Sequence, residues 1–220
     1  MTAVSPAAED AGDFAEALAR VRADGLVAYP TETLWGLGAD ARSTAALARL
    51  AAWKRRSDGQ PIAILVEGLA SLAPLGIEVD GRARALAAAF WPGPLTLVLP
   101  CRGRFAPGIA RADGAVGVRC SPHPVAAALA AAVAAAGIGP LTATSLNRHG
   151  EPPARTCADA ARLALRAGDP FLVGAGGPDA GGGPPSTVFD LTAARPRVLR
   201  AGAVDAAALT RALGGEECLA

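Results

Sequence analysis

One lysine, one asparagine and one tyrosine remain in a chain of 220 residues: Lys54, Asn147 and Tyr29. Alanine, glycine, proline and arginine fill the tolerant positions, the composition expected of a GC-rich coding bias. Under such a bias a lone survivor points to a position whose chemistry is hard to replace. An excess of charge is also lacking: 21 basic side chains oppose 20 acidic ones, for a net charge of +1. That argues against the electropositive body of a dedicated nucleic-acid binder and leaves room for a local basic patch.

The four cysteines, Cys101, Cys120, Cys157 and Cys218, are far apart and form no C-x-x-C pair. Neither a zinc site nor a disulfide framework is suggested, and reduced thiols in a cytoplasmic protein are the expectation. The longest apolar stretch, Val125 to Gly139, is mostly alanine and falls short of the roughly 20 residues that span a bilayer. Met1 to Asp10 is acidic without an apolar centre, unlike a signal peptide. No membrane partner is expected. Phosphate-loop, dinucleotide-fingerprint, nucleophile-elbow and zinc-protease motifs are all absent. The two histidines, His123 at a proline-bracketed helix start and His149 in a loop, read as surface or capping residues, and no resident metal site is expected.

What is present centres on Gly25 to Asp40. Leu26 to Tyr29 reads as a strand covered on both faces, and Pro30 ends it. Thr31, Glu32 and Thr33 then insert two hydroxyls and a carboxylate before Leu34 to Gly38 returns to core-like composition. Such a polar wedge is a satisfied internal corner or the floor of a pocket, and three polar residues together favour the pocket. A chain of this length buries roughly 70% of its unfolded surface.

Around that stretch, helices are expected over Asp10 to Asp24, from Ser43 or Thr44 to Lys54, over Arg82 to Phe90, from Ser121-Pro122 onward, from Thr156 to Arg166, and after Asp205. Strands are expected at Pro61 to Val66, Leu95 to Leu99, Ala115 to Arg119, Leu141 to Asn147, Phe171 to Val173, Ser186 to Leu191 and Arg197 to Arg200. Gly174 to Pro185 reads as a mobile connection or a lid. The whole is one α/β domain over residues 10–205, with a twisted mixed parallel/antiparallel sheet, helices packed on it, and flexible termini at 1–9 and 214–220. Lys54 falls on the inward stripe of its helix. With Arg56, Arg119, Ser145, Asn147, Ser186, Thr187 and Arg200 it lies at an element boundary beside a buried run, a pattern suited to an anion with several phosphate oxygens.

These residues resemble a known family. Pro30-Thr-Glu-Thr-Leu-Trp-Gly-Leu-Gly38, Lys54-x-Arg56, Trp91-Pro-Gly-Pro-Leu-Thr96, Val118-Arg119, His123-Pro124, Ser145-x-Asn147, Ser186-Thr-Val188 and Leu199-Arg-x-Gly202 occur in the order seen in the YrdC/Sua5 family of threonylcarbamoyl-AMP synthases, in its short, single-domain form. The resemblance runs from about Ala15 to Ala203. It implies a nucleotidyltransferase that combines L-threonine, bicarbonate and ATP into threonylcarbamoyl-AMP and pyrophosphate, the donor for threonylcarbamoyladenosine in tRNA. It further implies Lys54 and Arg56 at the phosphates as catalytic groups, and Ser145, Asn147 and Arg200 with them in ATP binding. Thr31, Arg119 and Thr187 would hold L-threonine, and Mg²⁺ would arrive with ATP. A downstream threonylcarbamoyl transferase complex and tRNA are the implied partners. The chain departs from the family pattern at Ser57, Gln60, Leu65, Trp35 and Leu146. Two other readings stand beside this one: a related carbamoyl- or acyl-adenylate former with another amine, and a module that binds structured RNA.

Overall fold

The computed structural model describes residues 6–55, 59–165 and 170–215. Helix α1 (Pro6–Arg22) runs into β1 (Val27–Tyr29), which turns through the Thr31 to Thr33 corner into β2 (Gly36–Gly38). Residues 6–9, expected in a flexible end, belong to α1, whereas 1–5 and 216–220 lie outside the described residues. Helix α2 (Thr44–Lys54) is capped by Ser43, whose side chain accepts the Ala46 N–H, and it ends at Arg55 in the left-handed region.

Next come β3 (Ile64–Leu65), two 3-10 turns (Leu69–Ser71 and Ala73–Leu75), α3 (Gly81–Phe90), β4 (Leu95–Leu99) and β5 (Val116–Arg119). Helix α4 (Pro124–Ala135) starts two residues later than Ser121-Pro122 suggests. His123 is its N-cap and Pro124 takes the first position, while the Ser121 hydroxyl accepts the His123 N–H. Either proline fits a first helical position, and Ser121 is drawn away because its hydroxyl also donates to the Glu32 carboxylate. The chain closes with β6 (Thr144–Ser145), α5 (Cys157–Ala164), β7 (Phe171–Leu172), β8 (Thr187–Asp190), β9 (Arg197–Arg200) and α6 (Ala206–Ala212).

The mixed α/β character holds, with the strands divided between two sheets. One has the order β6-β2-β1-β7 and the other β3-β5-β4-β8-β9. In the second, β4 runs antiparallel to β5 and parallel to β8. Leu95, Leu97, Leu99, Val116, Val118 and Phe189 point to one side and are buried in the larger core. Full burial of a side chain of this size contributes about 1.5–3 kcal/mol. Because strand side chains alternate between faces, Thr96, Val98, Gly117, Arg119, Ser186 and Val188 are left on the other side, where they line a cavity. A second core, with Val27, Tyr29, Leu65, Leu129 and Val133, packs α1 and α4 against the first sheet.

Candidate active site

The cavity, about 660 Å³, lies between the two sheets. Lys54, Arg111, Arg119, Arg200 and His149 line it, and among the described residues no aspartate or glutamate does. The cations that line it give this recess a positive lining, although Arg119 is paired with Glu32 and Arg111 with Asp190 and Asp113.

Lys54 is 4% exposed. Its ammonium donates to Ser145 O at 2.6 Å, Asn147 O at 3.2 Å and Asn147 Oδ1 at 3.1 Å. The Ser145 hydroxyl donates to the same amide oxygen at 2.7 Å, and Asn147 Nδ2 donates to Glu151 O at 2.7 Å. The lone lysine and the lone asparagine are therefore bonded to each other, one from the end of α2 and one from the end of β6. Ser145 reaches this place because β6 pairs with β2, Gly36 opposite Ser145. A Cβ on Gly36 would lie 2.8 Å from the Tyr29 ring, so only glycine fits there. Arg56 lies outside the described residues.

At the opposite wall the Arg119 guanidinium grips the Thr31 corner. Its Nη2 donates to Glu32 Oε1 at 2.9 Å, Thr33 Oγ1 at 2.6 Å and Thr31 Oγ1 at 3.3 Å. Its Nε is buried and has no hydrogen-bond partner among the described residues. A buried charged donor left without an acceptor is costly, and the residue that carries it lines the cavity. The Thr31 hydroxyl donates to Leu34 O at 2.6 Å and accepts the Leu34 N–H at 3.2 Å. The corner is thus internally satisfied and also forms part of the pocket wall. Beneath it, Tyr29 donates to Thr142 O at 2.8 Å, and burial pushes its phenol far above the usual range, so it stays protonated.

Arg200 is an exposed residue at the mouth. It donates to Ser186 O at 2.8 Å and to Ser186 Oγ at 3.1 Å. Burial around the guanidinium, and then the like charge of Arg119, hold its pKa below that of a free arginine. Arg111 is different in kind. It donates to Asp190, Asp113 and Thr192, so its charge is already matched and it serves as wall.

Thr187 is corrected by the structure. It is fully buried, its hydroxyl donates to Val204 O at 2.6 Å and accepts the Val204 N–H at 3.0 Å, and it is not part of the cavity wall. Alternation along β8 sends Ser186 and Val188 into the cavity and Thr187 with Phe189 away from it. Ser186 is the hydroxyl that this stretch presents to the cavity, bonded to Thr96 Oγ1 at 2.9 Å. The signal was available in the sequence, since Phe189 belongs to the core and residues of opposite parity share the other face. Leu65, one of the departures from the family pattern, lies on the cavity wall at 2% exposure. It offers no donor, which leaves Arg119 as the nearby anion anchor. Thr33 lies on the wall as the polar wedge suggested, and Thr96 and His149 are further wall residues that were not expected in the site.

The Gly174 to Pro185 connection is tied down at several points. Gly181 N–H donates to Thr31 O at 3.1 Å, and a Cβ on Gly181 would lie 2.1 Å from Glu32 O. The Asp179 carboxylate accepts from Trp35 Nε1 at 3.4 Å and from the Cys157 N–H. Burial raises the pKa of the Cys101, Cys120 and Cys157 thiols, so they are held in the protonated, unreactive form. Among the described residues no group of three or more His, Cys, Asp or Glu side chains gathers to hold a metal ion. None of the described helices is long and apolar enough to cross a membrane.

Two mixed sheets enclose a cavity with a cationic lining, the frame of an α/β protein with a recessed site between its sheets. The chain belongs to the Sua5/YciO/YrdC family, described as "Telomere recombination", which matches residues 19–202. It is similar to the threonylcarbamoyl-AMP synthase of Chromohalobacter salexigens, with 40% identity over 183 residues, 83% of this chain and 95% of that protein. The structure of P. abyssi Sua5 complexed with L-threonine aligns with a TM-score of 0.82 at 29% identity, over 99% of this chain and 60% of that one. The chain thus spans about three fifths of the P. abyssi protein. E. coli YciO shares the fold, with a TM-score of 0.75 at 24% identity over 91% of this chain and 93% of that one.

Proposed function

We propose that the chain is an L-threonylcarbamoyladenylate synthase, a nucleotidyltransferase that forms threonylcarbamoyl-AMP and pyrophosphate from L-threonine, bicarbonate and ATP. The observation that carries this reading is the cationic cavity with Lys54 at one wall and, at the other, Arg119, whose Nε has no partner among the described residues. The relative of 40% identity bears the name of this activity.

The amine of threonine takes up bicarbonate with loss of water to give a carbamate. A carbamate oxygen then attacks the α-phosphorus of ATP, and the bond to pyrophosphate breaks. Such a reaction needs placement and charge neutralisation more than a covalent nucleophile. Lys54, with Arg56, offsets the charge growing on the leaving pyrophosphate, and Ser145 and Asn147 hold the nucleotide beside it. Arg119 Nε takes the threonine carboxylate, and Thr31 shapes that subsite by holding the corner in place. Ser186 and Arg200 close the ATP side. Mg²⁺ would come as part of the MgATP substrate, held by phosphate oxygens. The product would pass to a threonylcarbamoyl transferase acting on tRNA in the cytoplasm.

Pyrophosphate release from ATP in bicarbonate buffer, with each amino acid added in turn and Lys54→Ala as control, tests the reading. Threonine-dependent release that disappears in the variant is expected. Release with a different amino acid would select another amine, and no release with any would remove the synthase activity. Lys54→Ala also strips donors from Ser145 and Asn147, so its fold is to be checked by thermal melting alongside.

A further inference from the structure

His149 has no place in the function described so far. Its backbone N–H donates to Lys54 O at 2.7 Å, which sets it directly against the end of α2 that carries the lysine. The residue before it is clamped too: the Arg148 guanidinium lies 4.1 Å from the centroid of the Trp53 ring and donates to Trp53 O. His149 is exposed, lines the cavity with Lys54, Asn147 and Gly150, and its imidazole makes no hydrogen bond to any described residue. Gly150 beside it, at φ +80°, leaves open space, with nothing within 4 Å of where a Cβ would stand. An imidazole held on a fixed backbone beside a buried ammonium, with no acid on the same wall among the described residues, is a donor placed to meet an anion.

We propose that His149 is a further substrate-contact residue, donating an imidazole N–H to the polyphosphate chain of the nucleotide at the Lys54 end of the cavity. This rests on the synthase reading for which wall faces the phosphates. It adds a contact that the Lys54, Arg56, Ser145 and Asn147 set does not include. The backbone bond to Lys54 O survives substitution of the side chain, so His149 variants are expected to fold as the parent does.

The test is calorimetric binding of inorganic tripolyphosphate and of ATP to the full chain and to His149→Ala, His149→Arg and His149→Phe. One hydrogen bond to a phosphate at an exposed rim corresponds to about a 3- to 10-fold change in affinity. His149→Ala and His149→Phe are expected to weaken both ligands by that factor, and His149→Arg to retain both. In turnover, the KM for ATP is expected to rise in His149→Ala while the KM for threonine stays. Equal tripolyphosphate affinity in parent and His149→Ala would overturn the contact, as would a parent that fails to bind tripolyphosphate. Recovery of ATP binding by His149→Phe would also overturn it, by showing that the side chain stacks on the base. The outcome is separable from that of the synthase reading. A parent that releases no pyrophosphate with threonine, yet loses tripolyphosphate affinity in His149→Ala, would refute the activity and keep the contact.

Discussion

Ser186 and Thr187 are neighbours with opposite duties. Ser186 Oγ sits on the cavity wall between Thr96 and Arg200, whereas the Thr187 hydroxyl exchanges hydrogen bonds with Val204 behind the sheet. Removing a hydroxyl from a buried pair leaves the partner N–H and carbonyl unsatisfied, at about 1–3 kcal/mol. Thr187→Val is therefore expected to lower unfolding free energy by roughly that amount with the KM values little changed. Ser186→Ala is expected to raise the KM for ATP severalfold, because Arg200 keeps the Ser186 carbonyl but loses the hydroxyl, with a stability cost of about 1 kcal/mol from the broken Thr96 pair. Denaturant melts and steady-state kinetics on the two single variants separate these outcomes; a Thr187→Val enzyme that melts normally but fails to bind substrate would put Thr187 back in the site.

The connection from Gly174 to Pro185 gains its order from the elements it touches. Asp179 links the Trp35 indole to the start of α5, Arg155 donates to Gly182 O, and Gly181 lies against the Thr31 to Thr33 corner. A glycine-rich segment pays a large entropy on ordering, so few bonds stand between this state and an open one. Asp179→Ala removes two of them. Cleavage by a nonspecific protease within 174–185 is expected to speed up about 5-fold or more, the size of losing roughly 1 kcal/mol of local stability. Saturation with MgATP and threonine is expected to slow it again. Unchanged cleavage would mean that Asp179 does not hold the segment.

The same comparison shows what a sequence discloses. The Ser43 cap, the Thr156 and Asp159 capping box and the Asp205 cap are local bonds, and all three are found where the residues stand. Lys54 was legible for a similar reason, since helical period alone puts it on the inner stripe. The Arg119 grip on Thr33 spans 86 positions, and no short-range pattern encodes it. The division of the strands into two sheets is equally non-local. His149 reads as a loop residue until α2 and the Asn147 loop are seen side by side.

Across the whole molecule, the far end of the second sheet is held by one buried acid. Asp190 is fully buried and accepts from Arg111 Nη1 at 2.8 Å, Arg197 Nη2 at 3.2 Å and Thr192 Oγ1 at 2.6 Å. Burial alone would raise its pKa, but the bonds from Thr192 and Arg111 outweigh that and hold it below the usual carboxylate value. A carboxyl lowered in the folded state contributes stability that is complete above its unfolded pKa of about 4. That contribution is lost as pH falls from there through the lower, folded value. Asp113, brought down to about 2 by its bond to Arg111, adds in the same direction but is half exposed and screened. The parent is therefore expected to lose denaturant stability between about pH 4 and pH 2. Asp190→Asn is expected to be less stable at pH 7 by about 3 kcal/mol, the cost of leaving Arg111 without its buried partner, and to show a shallower acid slope. Because Ser186 directly precedes β8 and Arg200 ends β9, the strands that Asp190 ties together, the variant is also expected to bind ATP more weakly at neutral pH. An Asp190→Asn protein with parental stability at pH 7 and an unchanged acid slope would show that this charge network does not anchor the sheet.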